Sequence, residues 1–142
     1  MIVLVDTSVW SLVLRRRPDS LNLDQQRVVG EWSDLVREAR VQLIGPIRQE
    51  ILFGVRLKPQ FAELADRLAA FPDTPIETAD CVEAARFFNL CREHGVAGAP
   101  TDLLICAVAA RLNCAIFSLD DDFERYAKLL PIRLHRIVPS GR

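Results

Sequence analysis

The sequence lacks the features of a membrane or secreted protein. No apolar run reaches the ~18 residues that a membrane span needs, because charged residues interrupt the chain throughout. The first six residues carry no basic stretch and no small-residue cleavage site, so they predict a strand rather than a signal peptide. Repeats and low-complexity segments are also absent. We therefore expect a cytoplasmic protein with no membrane contact.

Cysteine and histidine are too few and too scattered to indicate a zinc site. The four cysteines form no CxxC pair, and neither His94 nor His135 lies at zinc-ligand spacing from them. Cys106 and Cys114 fall in apolar stretches, as is typical of reduced, buried thiols. Any metal site must therefore be built from other side chains.

The chain also has almost no net charge. Its 18 basic and 19 acidic residues give a formal net charge of −1, whereas nucleic-acid-binding domains are usually basic. Binding to a nucleic acid would therefore depend on local basic patches or on a bound metal ion.

Length and periodicity predict one α/β domain over residues 1–142. Apolar, β-branched runs predict strands, and amphipathic stretches with caps or early prolines predict helices between them. Alternation of the two favours a small, mostly parallel sheet with helices on both faces. The predicted strands are 2–5, 41–44, 115–119 and 132–137, with a further short one at 75–77. The predicted helices are 9–14, 23–40, 45–57, one from 59 that ends before 72, 78–91, 102–113 and 121–129.

Three aspartates are expected at one edge of this sheet. Asp6 ends the first strand and Asp120 ends the strand 115–119, and the carboxyl ends of parallel strands share an edge. The helix 102–113 is about 16 Å long, and the strand after it returns about the same distance. If the two pack antiparallel, Asp120 lies close to Asp102.

Glu50 is a fourth acidic candidate. It lies on a predicted helix beside Ile47 and Ile51, with Gly54 one turn further on. A glycine within a helix costs up to about 1 kcal/mol relative to alanine, so a close approach to the Glu50 carboxylate would explain Gly54. Spacing alone does not bring Glu50 to the three aspartates.

Each acidic residue also has a structural interpretation. Asp102 is favoured by the helix dipole in a first turn, Asp6 suits a cap, and Glu50 suits an exposed helix face. One residue of the run 120–122 is expected to cap a helix. Gathered together, however, the carboxylates would repel one another and raise each other's pKa. Mg²⁺ or Mn²⁺ would relieve that repulsion, activate a water molecule and neutralise charge on a scissile phosphate.

Four segments, in this order and spacing, resemble PIN domains, and most of all the VapC-type toxins of bacterial toxin–antitoxin pairs. Each motif alone is weak, but together they span nearly the whole chain. They are residues 3–8 (VLVDTS), 46–54 (PIRQEILFG), 101–107 (TDLLICA) and 118–123 (SLDDDF).

The resemblance implies a PIN-like fold and a set of site residues. The catalytic acids it implies are Asp6, Glu50, Asp102 and Asp120. Asp6 and Asp102 match direct Mg²⁺ (or Mn²⁺) ligands, and Glu50 and Asp120 match residues that complete the metal site directly or through water. Accessory positions are Asp122, Thr7 and Ser118. The run 120–122 leaves open whether Asp122 also serves the metal.

The resemblance also implies an activity and partners. The family hydrolyses single-stranded or loop regions of RNA, often transfer RNA or ribosomal RNA. Its members usually form homodimers and are silenced by a cognate antitoxin in a hetero-oligomer, with an antitoxin segment in a groove that leads to the acidic site. Expected RNA contacts are Arg15, Arg16, Arg17 and Arg48, although the first three also suit a solvated helix end.

Three alternatives remain open. A phosphatase or phosphoacceptor domain would use Asp6 as nucleophile, but it would need a lysine, and neither Lys58 nor Lys128 is well placed after a strand. A non-catalytic binding module would be indicated by a broken acidic quartet. A DNA nuclease of the same fold is the third.

Overall fold

A computed structural model shows how the chain is arranged, and it describes residues 1–15 and 17–137. Strands and helices alternate towards its two ends, and four helices follow one another between the second and third strands. The strands are β1 (Val3–Val5), β2 (Val41–Gln42), β3 (Ala115–Phe117) and β4 (Arg133–Leu134). The helices are α1 (Thr7–Arg15), α2 (Leu23–Arg37), α3 (Gly45–Leu52), α4 (Lys58–Leu68), α5 (Thr78–Glu93), α6 (Pro100–Leu112) and α7 (Asp122–Ala127), with a 3₁₀ turn at Pro18–Ser20.

The four strands form one parallel sheet in the order β2-β1-β3-β4. In β1, Val3 pairs with Val41 on one side and with Ala115 on the other. Strands β3 and β4 pair through Ala115 and Arg133. Because all the strands run the same way, the residues after β1 and β3 meet at one edge, as predicted.

Helices cover both faces of this sheet. Val3, Leu4 and Val5 are all fully buried, although successive side chains of a strand point to opposite faces. The predicted α/β fold with a small parallel sheet between helices is therefore confirmed. In the described part of the chain, no helix is both long and apolar enough to cross a membrane.

The helix that carries Glu50 is shorter than predicted. It ends at Leu52 instead of continuing to residue 57, and Gly54 lies beyond it with φ of +78°. A Cβ added at Gly54 would meet nothing within 4 Å, so the predicted close approach is wrong. The glycine instead allows a left-handed backbone conformation just after the helix.

The strand predicted at 75–77 is not observed. Instead, Asp73 forms an isolated parallel bridge with Leu43, and the Thr74 N–H donates to the Leu43 carbonyl at 2.8 Å. Pro75 follows immediately and has no N–H to extend the pairing. The strands predicted at 41–44, 115–119 and 132–137 are each shorter in the structure, where they are limited to β2, β3 and β4.

Candidate functional site

Asp6 lies where β1 ends and α1 begins, and it is almost fully buried. Its Oδ2 accepts hydrogen bonds from the Ser8 and Ser118 hydroxyls, each at 2.8 Å, and a longer one from the Ser8 N–H at 3.3 Å. The bond from the Ser8 N–H is a helix cap, so the structural interpretation of Asp6 also holds. The hydroxyls additionally fix the carboxylate at the edge of the sheet.

The loop from β3 to α7 is hydrogen-bonded to the same two serines. Ser118 Oγ accepts the Asp120 N–H at 3.0 Å, and Ser8 Oγ accepts the Leu119 N–H at 2.9 Å. Asp120 Oδ1 in turn accepts the Asp122 N–H at 2.9 Å at the start of α7. Asp120 is therefore the helix-capping residue that was predicted within the run 120–122. Its second carboxylate oxygen, Oδ2, takes no part in this cap.

Asp102, in the first turn of α6, is half-buried beside these residues. Burial, followed by the negative charges of Asp6, Asp120 and, least, Glu50, raises the pKa of its carboxyl to about 7. A hydrogen bond from Tyr126 opposes that rise. The structure thus brings all four predicted acids into one electrostatic cluster around Asp102.

Glu50 reaches the cluster from α3. The Thr7 hydroxyl, on the first residue of α1, donates to Glu50 Oε1 at 2.7 Å. This contact links the residue next to Asp6 with a carboxylate that lies 43 positions away in sequence. The structure therefore shows how Glu50 comes to lie near the other acids, which helical spacing alone could not predict.

Three of the carboxylates are close enough to share a cation. One oxygen each from Asp102, Asp120 and Asp122 lies within 4.8 Å of the other two. Oxygens bound to one Mg²⁺ at about 2.1 Å are at most about 4.2 Å apart, so a small contraction suffices. Carboxylates are the ligands that Mg²⁺ and Mn²⁺ prefer, and the raised pKa of Asp102 records the repulsion that a cation would relieve. The residues fit such an ion.

This group differs from the predicted ligands. Asp6 was expected to bind the metal and Asp122 only to assist, whereas among the described residues the close group contains Asp122 and not Asp6. Oδ2 of Asp6 accepts hydrogen bonds from two serine hydroxyls, and its role as a metal ligand stays a prediction. Asp122 also accepts a hydrogen bond from Arg125.

The four arginines predicted to contact RNA do not share one structural setting. Arg48 donates to Asp73 and to the Leu68 and Phe71 carbonyls at 2.8–3.1 Å, which joins α3 to the end of α4. These bonds use its guanidinium within the chain, so the structure does not favour Arg48 as an RNA contact. Arg15 ends α1, Arg17 is exposed before the 3₁₀ turn, and Arg16 lies outside the described residues.

Two residues of the site were not singled out from sequence. Ser8 was taken only as part of a helix-capping segment, and its position two residues after Asp6 was the available signal. Tyr126 donates to Asp102 Oδ2 at 3.3 Å across the packing of α7 on α6, and no motif spacing indicates that contact.

Comparison with known proteins identifies the fold and the family. The family model for the PIN domain matches residues 3–129, so the chain belongs to the PIN domain family. The resemblance noted in the four motifs is confirmed.

Individual relatives are similar over nearly their whole length. Ribonuclease VapC18 of Mycobacterium tuberculosis is 23% identical over 145 residues, which covers 99% of this chain and 98% of the relative. The structure of FitAcB from Neisseria gonorrhoeae has a TM-score of 0.74 at 23% identity and covers 95% of this chain and 97% of its own. The structure of VapBC2 from Rickettsia felis, bound to a promoter DNA fragment, has a TM-score of 0.75 at 16% identity. The match covers 95% of this chain and 98% of the neighbour's chain.

Proposed function

We propose that this chain is a Mg²⁺- or Mn²⁺-dependent endoribonuclease that acts as the toxin of a toxin–antitoxin pair. Its substrate in this proposal is transfer RNA or ribosomal RNA. The observation that carries the proposal is the convergence of Asp6, Glu50, Asp120 and Asp122 on the half-buried Asp102. Membership of the PIN domain family and similarity to a ribonuclease over the full chain support the same reaction class.

Asp102, Asp120 and Asp122 would hold the cation in this proposal. A divalent ion there supplies positive charge against the scissile phosphate and makes a water molecule a better nucleophile. Asp6 and its two serines would keep the loop that bears Asp120 in place. Glu50, oriented by Thr7 at the rim, is a carboxylate that can align a water molecule or accept its proton.

Arg15, Arg16 and Arg17 remain the proposed phosphate contacts. Arg15 ends the helix that begins next to Asp6, and eight residues of helix span about 12 Å. Binding through these residues would weaken as salt rises.

An antitoxin partner is supported by the structural neighbours, which include toxin–antitoxin complexes. We assign its docking surface to a cavity of about 580 Å³ between the end of α1 and α4, lined in part by Leu14, Val55 and Leu64. Leu57 lines this cavity, and Phe53 directly precedes the lining residue Gly54. Both side chains are more than half exposed. They follow Glu50 by three and seven residues in sequence, and the cavity is also lined by Arg56, Gln60, Glu63 and Arg67.

We also propose that the isolated chain forms a homodimer and that it assembles with the antitoxin into a hetero-oligomer. Sedimentation of the purified chain, alone and after co-expression with any small reading frame that lies directly upstream of its gene, tests both. Substitution Leu57→Asp is expected to abolish co-purification of the antitoxin, whereas Val82→Asp, at an exposed position on α5, is expected to leave it intact. Loss with both variants, or with neither, would overturn the docking surface.

The alternative functions find less support. A phosphoacceptor Asp6 would need an accessible carboxylate, but Asp6 is 5% exposed and its Oδ2 is engaged by serines. A non-catalytic module is disfavoured because all four acidic positions are filled and gathered. A DNA nuclease is tested directly when DNA is offered beside RNA.

Cleavage assays with structured RNA, single-stranded RNA and DNA test the proposal. We expect RNA cleavage that stops with EDTA and returns with Mg²⁺ or Mn²⁺. Asp102→Asn is expected to abolish it, with Asp24→Asn, a fully solvated carboxylate on α2, as control. Chelator-resistant cleavage would overturn metal dependence, and full activity of Asp102→Asn would overturn the site.

A further inference from the structure

Tyr126 is a buried polar side chain outside the four acidic motifs. It is the only tyrosine of the chain, it lies on α7, and it is fully buried. Its ring meets the Phe123 ring edge-on, with 5.3 Å between the ring centroids. The ring thus packs as a core residue, and its hydroxyl needs partners because a buried phenol without them is costly.

Both partners of the Tyr126 hydroxyl lie at the start of α6. The O–H donates to Asp102 Oδ2 at 3.3 Å, and the phenol oxygen accepts the Ala99 N–H at 3.4 Å. Ala99 directly precedes α6, and Asp102 lies in its first turn. One hydroxyl therefore connects the carboxylate of the candidate metal site to the backbone that leads into its helix.

The loop before α6 is itself held closely against that helix. A Cβ added at Gly98 would lie 2.6 Å from Leu103 Cδ2, which is shorter than real contacts allow. Leu103 is buried, so Gly98 packs directly against a core side chain of that helix. The Ala99 N–H is thus a well-placed anchor for the Tyr126 hydroxyl.

We propose that Tyr126 is a positioning residue that sets the orientation of the Asp102 carboxylate toward Asp120 and Asp122. The inference rests on the proposed metal site. Partners of this kind, which orient a metal ligand without touching the metal, typically change metal affinity 10- to 100-fold when they are removed, on the order of one to three kcal/mol. Tyr126 acts on α6 from α7, the helix that also carries Asp122.

Manganese binding measured by titration calorimetry tests this role without an activity assay. Tyr126→Phe keeps the ring and removes only the hydroxyl, and it is expected to weaken Mn²⁺ binding by roughly 10-fold or more. Leu130→Val is the control, because Leu130 is buried and its N–H bonds the Tyr126 carbonyl at 2.8 Å, yet it does not touch Asp102 in the contacts observed. It is expected to lower stability and to leave Mn²⁺ affinity within about twofold.

The results separate this inference from the proposed function. A wild-type chain that binds no Mn²⁺ would overturn both. A wild-type chain that binds Mn²⁺ while Tyr126→Phe binds it equally well would overturn the positioning role alone. If Leu130→Val weakened Mn²⁺ binding as much as Tyr126→Phe does, packing alone would explain the loss of affinity. That result would overturn the positioning role as well.

A second measurement does not depend on the folding of the phenylalanine variant. Because there is one tyrosine, 3-fluorotyrosine labelling gives a single ¹⁹F resonance. We expect that resonance to shift when Mg²⁺ is added to the wild-type chain, and not to shift in Asp102→Asn. A resonance that is unchanged while the wild-type chain binds the ion, or that shifts equally in Asp102→Asn, would overturn the inference.

Discussion

The Thr7 hydroxyl donates a 2.7 Å hydrogen bond to Glu50 Oε1, which joins the first residue of α1 to α3. Thr7 follows Asp6 directly, so the bond sets how far the Glu50 carboxylate lies from the acidic cluster. Glu50 comes from α3, which packs against α1. The bond from Thr7 is the contact that orients its carboxylate towards the cluster.

Replacing Thr7 by valine tests that dependence. The substitution keeps the shape and removes the donor, so Glu50 should lose its fixed orientation and RNA cleavage should fall about 10- to 100-fold. The rate is measured with saturating Mg²⁺ and compared with Thr78→Val. Thr78 also begins a helix, α5, but is exposed and distant in sequence from the acidic motifs. Equal rates for Thr7→Val and wild type would contradict the role.

Asp102 should make the metal-free protein less stable as pH rises. Its carboxyl has a pKa of about 7 in the folded chain, against an ordinary value of 3.8. Between these values the folded state binds the proton more tightly than the unfolded state does, so stability falls from about pH 4 to about pH 7. The full difference corresponds to about 4 kcal/mol, an upper bound because water reaches the carboxylate.

Urea denaturation in EDTA measures this effect. We expect Asp102→Asn to be more stable than wild type at pH 8 and to differ little from it near pH 4, while Mg²⁺ stabilises only the wild type. Asp24→Asn, whose side chain is almost fully exposed, should track the wild type within about 0.5 kcal/mol. A variant less stable than wild type at pH 8 would show that the carboxylate is not under repulsion.

The positions of the aspartates could be predicted because they depend on chain direction and strand order. Asp6 and Asp120 follow strands whose apolar runs are plain in sequence, and parallel pairing brings their ends together. Asp102 follows from the length of one helix and one strand. These inferences need only repeating backbone geometry, and the structure brings the three residues into one cluster.

Contacts between side chains of separate elements could not be predicted in this way. The bonds from Thr7 to Glu50 and from Tyr126 to Asp102 depend on how helices pack, which periodicity does not determine. Arg48 illustrates the opposite error, because a basic residue next to Glu50 suggested RNA but its guanidinium is bound by Asp73 and two carbonyls. Packing decides whether such a charge is available.

We expect the ion pair between Asp80 and Arg111 to contribute strongly to the packing of α5 against α6. Asp80 is 2% exposed and accepts from Arg111 Nε at 2.7 Å and from Nη2 at 3.0 Å. That guanidinium lowers the pKa of Asp80, so the stability it contributes is present at neutral pH and is lost as pH falls through the lowered value. We expect Asp80→Asn to cost about 1.5–3 kcal/mol at pH 7, because the buried position loses the charge that accepts both hydrogen bonds from the partly exposed Arg111.

Denaturation at pH 7 compares this variant with Asp34→Asn. Asp34 pairs with Arg37 on the surface of α2, where both side chains are more than half exposed. Such pairs contribute at most about 1 kcal/mol, so this control should change little. A cost for Asp80→Asn no greater than that of the control would mean that the buried pair does not hold the two helices.

Gly54 and Gly30 offer the same substitution with opposite expected signs. Gly54 has φ of +78° after α3, so an alanine there is strained and should destabilise the chain by about 1 kcal/mol. Gly30 lies inside α2, and a Cβ there meets nothing within 4 Å, so alanine should stabilise by about 0.5–1 kcal/mol. Chemical denaturation of the two variants in parallel measures both. A stabilised Gly54→Ala would contradict the backbone explanation for this glycine.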